Sequence, residues 1–107
     1  MYRYRVVKDR RGLPIHQKIK VRLPKVAGVY AILGPDGVYV GESTDCWNRS
    51  TLVFAVRLGL DCGIIREANC ATKDGRLTNE YEVQELYKSR GFPIIYGDYT
   101  HKIKEIL

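Results

Sequence analysis

Four residues in this chain have side chains that could act together on a phosphate ester: Tyr30, Tyr39, Arg49 and Glu80. A phenol can orient a water molecule or relay its proton. A guanidinium matches phosphate oxygens with two parallel N–H donors, and a carboxylate suits a hard divalent cation. Hydrolysis of a phosphodiester needs a nucleophile activated near neutral pH, positive charge on the non-bridging oxygens and help for the leaving oxygen. Free tyrosine has a pKa near ~10, so a tyrosine acting as base would need neighbours that lower it.

The elements around these residues must bring them together. Val29–Leu33 and Val38–Val40 are rich in strand formers, and Gly34-Pro35-Asp36-Gly37 between them is a turn. With that loop, Leu33 faces Val38 and Ile32 faces Tyr39, so Tyr30 and Tyr39 become diagonal neighbours on one face. A one-residue slip would separate them. Residues 44–58 read as a helix capped by Ser43 or Thr44, with Asp45 in the first turn and Gly59 as its stop. Arg49 falls on its apolar stripe with Cys46, Val53, Val56 and Leu60. A guanidinium turned inward there would call for an anion. Residues 63–68 suggest a short strand, and 69–76 a polar loop turning at Lys73-Asp74-Gly75. Residues 78–90 form a second helix, capped by Thr78 or Asn79 and stopped by Gly91, with Val83, Leu86 and Tyr87 inward. Glu80 lies on that same stripe. Residues 93–96 read as a final extended segment.

Each residue also has a plainer reading. The tyrosines suit a packed strand, Arg49 could snorkel or pair with Asp45 or Glu80, and Glu80 could simply face a helix dipole. Glu42 reads as a solvated carboxylate in preference to one bound to a basic partner. His16 and His101 match no motif and read as surface residues, though His16 would approach the site if the N-terminal segment folded back. Cys46, Cys62 and Cys70 are odd in number and form no CxxC pair, so they read as reduced packing thiols.

The 107 residues fit one domain, and the formal charge of +6 is unevenly placed. Residues 1–25 hold nine bases and one acid, a formal +8; residues 26–107 hold nine bases and eleven acids, a formal −2. In the basic segment, 2–7 and 17–23 alternate, with Lys18, Lys20 and Arg22 on one side of the second run, and Asp9-Arg10-Arg11-Gly12 looks like a turn. A basic β-hairpin (1–25) ahead of a core (26–96) follows. The N-terminus lacks the apolar region of a signal peptide, and no apolar run approaches a membrane span. Composition and spacing alone describe a basic α/β domain suited to nucleic acid.

Gly28-Val29-Tyr30, then Tyr39-Val40-Gly41, then Arg49 eight residues after that glycine, resembles the GIY-YIG nuclease signature. The resemblance runs from Leu23 to roughly Pro93. It implies an α+β fold with a small three-stranded antiparallel sheet flanked by helices. It also implies an endonuclease that hydrolyses DNA with one Mg²⁺ or Mn²⁺. Carried over, Glu80 is the metal ligand, with Glu82 as the alternative. Tyr30 is the general base or the organiser of the attacking water, Tyr39 orients that water or touches the scissile phosphate, and Arg49 clamps the phosphate. Gly28 and Gly41 would let backbone and DNA approach, while Lys18, Lys20, Arg22 and Lys25 would grip the DNA backbone. The reading implies a cytoplasmic protein, of a bacterial or phage-infected cell, with a homodimer or partner protein supplying specificity. Departures from the pattern are Val53 where many members have His, Ser43 where some have Lys, and Tyr96-Gly97-Asp98 where a closing Asn is common. They motivate a second reading, a weak or inactive DNA-binding or protein-interaction module. An RNA-binding protein is a third.

Overall fold

The computed structural model describes residues 2–20, 23–97, 99 and 100, with the backbone alone for 2–7 and 15–20. Two sheets are present among the described residues. Strands β1 (Tyr2–Lys8) and β2 (Pro14–Lys20) form a separate antiparallel hairpin, closed by a turn in which Gly12 takes φ +78°. The basic hairpin expected from the alternation is therefore present, with its second strand starting three residues earlier than read. The directions of the Lys18, Lys20 and Arg22 side chains, and of His16, lie outside the described residues, as does His101.

The main sheet has the order β5-β3-β4-β6, with β3 (Gly28–Gly34), β4 (Gly37–Ser43), β5 (Asp61–Arg66) and β6 (Ile94–Ile95). The class is α+β. Where three antiparallel strands were expected, there are four: β5, β3 and β4 are antiparallel, and the two-residue β6 adds to β4 in parallel. Strand β5 runs 61–66, two residues earlier than the 63–68 expected. A bulge between Val29 and Tyr30 marks its pairing with β3.

Strand β3 is buried on both faces, and its alternation divides the core in two. Tyr30 and Ile32 pack with Cys46, Leu52, Ala55 and Tyr99, and Val29 and Ala31 pack with Val38, Val40, Cys70 and Val83. The first face is covered by α1 (Ser50–Leu58), the second by α2 (Lys73–Ser89). Each fully buried aliphatic side chain contributes about 1.5–3 kcal/mol.

Both helices differ from the sequence reading. The run 44–58 is broken: Cys46–Asn48 is a 3₁₀ turn, Arg49 is extended (φ −70°, ψ 126°), and α1 starts at Ser50. The break turns the buried stripe to Thr51, Leu52 and Ala55 and leaves Val56 exposed. Helix α2 starts five residues early, so Lys73-Asp74-Gly75 is its first turn and not a loop. Thr72 caps it by accepting from the Gly75 N–H at 3.1 Å. A Cβ at Gly75 would collide with the Asn69 carbonyl, which explains a glycine inside a helix. Leu86, expected inward, is exposed, while Arg76 and Asn79 join Val83 on the buried side. Gly59 (φ +71°) and Gly91 (φ +86°) follow the helix ends as expected.

All three cysteines are free thiols. Burial, with the nearby Cys70, pushes the Cys46 thiol up to about 11, and burial beside Asp61 raises Cys62. Both stay protonated at neutral pH and act as packing groups. Among the described residues, no helix is long and apolar enough to cross a membrane.

A candidate active site at an open sheet edge

The Gly34–Gly37 turn sets the hairpin register as expected, with Leu33 opposite Val38 and Ile32 opposite Tyr39. Tyr30 and Tyr39 are diagonal neighbours with ring centroids 6.2 Å apart. Tyr39 also stacks on Tyr99 at 5.0 Å, a partner the sequence reading missed. Tyr30 stands directly opposite Gly41, and a Cβ at Gly41 would overlap its ring.

Among the described residues, strand β6 pairs only with Val38 and Tyr39. Beyond Tyr39, the outer edge of β4 has no strand partner among the described residues. A cleft opens there, and side chains from both faces of the sheet reach it. Its walls include Tyr30, Tyr39 and Gly41 of the hairpin, Arg49 ahead of α1, and Glu80 and Gln84 one turn apart on α2. Tyr96 and Gly97 close the end beside β6.

Arg49 reaches this cleft by a route other than the one expected. It is an exposed residue at a helix boundary, not an inward member of a helical stripe. Its backbone is pinned on both sides. Its N–H donates to the Cys46 carbonyl at 3.1 Å, and its carbonyl accepts from the Val53 N–H at 3.0 Å. The side chain is thus directed by a fixed joint between two helical segments.

Glu80 and Glu82 point to different surroundings. Glu82 accepts from Arg66 at 2.8 Å and lines a separate concavity with Asn69 and Thr78. Glu80 is half-buried in the tyrosine cleft, with no hydrogen bond or ion pair among the described residues. Burial raises its pKa first, and the Glu42 charge raises it further, against a smaller opposing effect of Lys73.

Glu42 is not solvated. Its carboxylate accepts from Arg76 Nε at 2.8 Å and from the Lys73 ammonium. Burial alone would raise Glu42; the hydrogen bonds from Lys73 and Arg76 outweigh it and hold the carboxyl below its ordinary range. Arg76 is itself fixed, donating to the Cys70 and Ala71 carbonyls at 3.1 and 3.3 Å. Neither cation was singled out in the sequence. The available signal was Thr72 as a cap, which would have put Lys73 and Arg76 one turn apart on a helix.

Burial raises the Tyr30 pKa well above its ordinary value, and the neighbouring Tyr39 raises it further. A hydrogen bond with Thr51 and the Arg49 charge oppose this more weakly. Tyr30 is a neutral phenol at physiological pH. Of the remaining sequence candidates, Lys25 is exposed. Gly28 is buried away from the cleft walls, where a Cβ would lie 2.6 Å from the Arg66 carbonyl. Its smallness serves strand packing.

The residues fit a divalent cation in one respect. An unpaired, half-buried carboxylate with a raised pKa gains most from positive charge. Among the described residues no group of three His, Cys, Asp or Glu side chains forms a closed cage. A cation here would therefore keep several solvent or phosphate ligands, which suits Mg²⁺. In comparisons with known proteins, no family model, no curated protein and no solved structure matches this chain.

Proposed function

We propose that this protein is a metal-dependent endonuclease that hydrolyses DNA phosphodiester bonds. The observation that carries the reading is the convergence of Tyr30, Tyr39, Arg49 and Glu80 on one cleft from four separate stretches of chain. The resemblance to the GIY-YIG signature supports it from the sequence, and so does the antiparallel arrangement of β5, β3 and β4.

Glu80 would hold a single Mg²⁺ or Mn²⁺, which supplies positive charge to the phosphate oxygens. Arg49 binds the scissile phosphate and stabilises the charge that grows on its equatorial oxygens. Tyr30 is a phenol in the resting site, so it orients the attacking water rather than waiting as a phenolate base. Tyr39 sits beside it and lines the same cleft, and it fixes the second side of that water or the phosphate. Water oxygen bonds to phosphorus as the bond to the leaving sugar oxygen breaks. One proton of the water ends on the leaving oxygen, and the other is shed as the phosphate monoester ionises. Residues 1–25 add backbone contacts, which are salt-dependent and carry little sequence information. Such a protein acts in the cytoplasm of a bacterial or phage-infected cell, as a homodimer or with a partner that supplies specificity.

The test is cleavage of supercoiled and branched DNA with Mg²⁺ by the wild type, Glu80→Ala and Arg49→Ala. Cleavage by the wild type alone supports the reading. DNA binding without cleavage of any substrate would replace it with the second reading, a binding module on the same fold. Val53 in the position where many similar nucleases carry His, and the raised Tyr30, favour that second reading.

A further inference from the structure

The cleft continues past Glu42 into a second concavity lined by Ser43, Thr44, Arg49, Lys73 and Arg76, with Glu42 and Arg49 shared between the two. Three cations meet one carboxylate here, a formal excess of two positive charges. The three are not equivalent. Arg76 is almost fully buried and tied to Glu42 and two carbonyls, so it neutralises Glu42 permanently. Lys73 also contacts Glu42, yet 61% of its side chain is exposed. Arg49 is exposed with no ion pair among the described residues. One carboxylate thus has two cations, and the exposed one can leave without stranding it.

We infer that Lys73, with Arg49, forms a second phosphate site that holds the phosphodiester next to the one being cut. Lys73 reaches it by a side-chain rotation away from Glu42, while Arg76 keeps Glu42 paired. Arg49 stands between the two sites and bridges adjacent phosphates of one strand. The hydroxyls of Ser43 and Thr44 lie in the same lining as further donors. The inference rests on the nuclease reading for the direction of the strand, but not for the presence of an anion site.

The experiment is the salt dependence of binding to a fluorescein-labelled branched DNA, followed by anisotropy in EDTA so that no cleavage occurs. Wild type, Lys73→Ala, Lys73→Arg and Arg90→Ala are compared, the last removing an exposed charge elsewhere. Lys73→Ala should weaken binding several-fold at moderate salt and lower the slope of log K against log salt by about 0.9, the value of one phosphate contact. Lys73→Arg should restore both, and Arg90→Ala should change neither. An unchanged slope in Lys73→Ala, or an equal loss in Arg90→Ala, overturns the site. Cleavage by the wild type in Mg²⁺ is scored separately. A slope change with no cleavage keeps the anion site and sinks the nuclease, and cleavage with an unchanged slope does the reverse.

Discussion

The ring of Tyr30 occupies the space in which Gly41, its partner on the next strand, would otherwise carry a Cβ. The phenol is 1% exposed, so it has nowhere to retreat. The glycine in the second tripeptide and the tyrosine in the first are therefore one packing unit.

Gly41→Ala should destabilise the fold by about 1–3 kcal/mol through overpacking. The urea midpoint measures this. Gly63→Ala is the control, because nothing lies within 4 Å of a Cβ there. Equal midpoints for the two variants would show that Tyr30 yields at little cost.

The two candidate glutamates should separate cleanly. Glu80→Gln should lower the single-turnover rate of Mg²⁺-dependent cleavage by about 10²-fold or more, as for loss of a main electrostatic group. Glu82→Gln, which loses only the exposed Arg66 pair, should stay within a few-fold. The reverse order would move the metal site to the other side of α2.

Stability against pH should show opposite signs for Glu42 and Glu80. Glu42 is held below its unfolded value, so its contribution is present above the unfolded pKa and lost as pH falls through the folded one. The disadvantage of Glu42→Gln should therefore shrink in acid. Glu80 is held above its unfolded value, so ionising it costs stability as pH rises through that interval. Glu80→Gln should accordingly melt higher than wild type at pH 7 and lose that advantage in acid. Melting curves at pH 7 and pH 3.5 decide both, and parallel shifts at the two pH values would refute the assignment.

Neutralising Lys18, Lys20 and Arg22 together should weaken DNA binding and reduce the salt slope by up to about 2.7, three contacts' worth. The single-turnover rate at saturating DNA should not change. A lost rate with binding intact would place the hairpin in the chemical step.

Legibility followed the range of the interactions. The pairing of Tyr30 with Tyr39 was readable because a four-residue turn fixes it locally. The glutamate facing the tyrosines was readable because Val83, three positions on, fixes that side of the helix. Arg49 was placed with its partners but for the wrong reason. Residues 44–58 have helical spacing, and nothing in the pattern marks the extended joint at 49. Glu42 was misread because its partners lie 31 and 34 positions away, and only packing of α2 beside β4 brings them close. The short β6 lies inside the 93–96 segment read as extended, but two residues carry no alternation to show that it joins the sheet in parallel beside β4.

The two-residue length of β6 has a consequence for association as well as access. An unpaired strand edge is a template on which a second chain can build a strand. Among the described residues, β4 offers such an edge from Val40 to Ser43, beside the proposed catalytic groups. Glu42, gripped by Lys73 and Arg76, sets buried charge along it, a device that discourages strand addition. The opening proposed to admit a substrate is thus also an edge on which strand addition has to be discouraged.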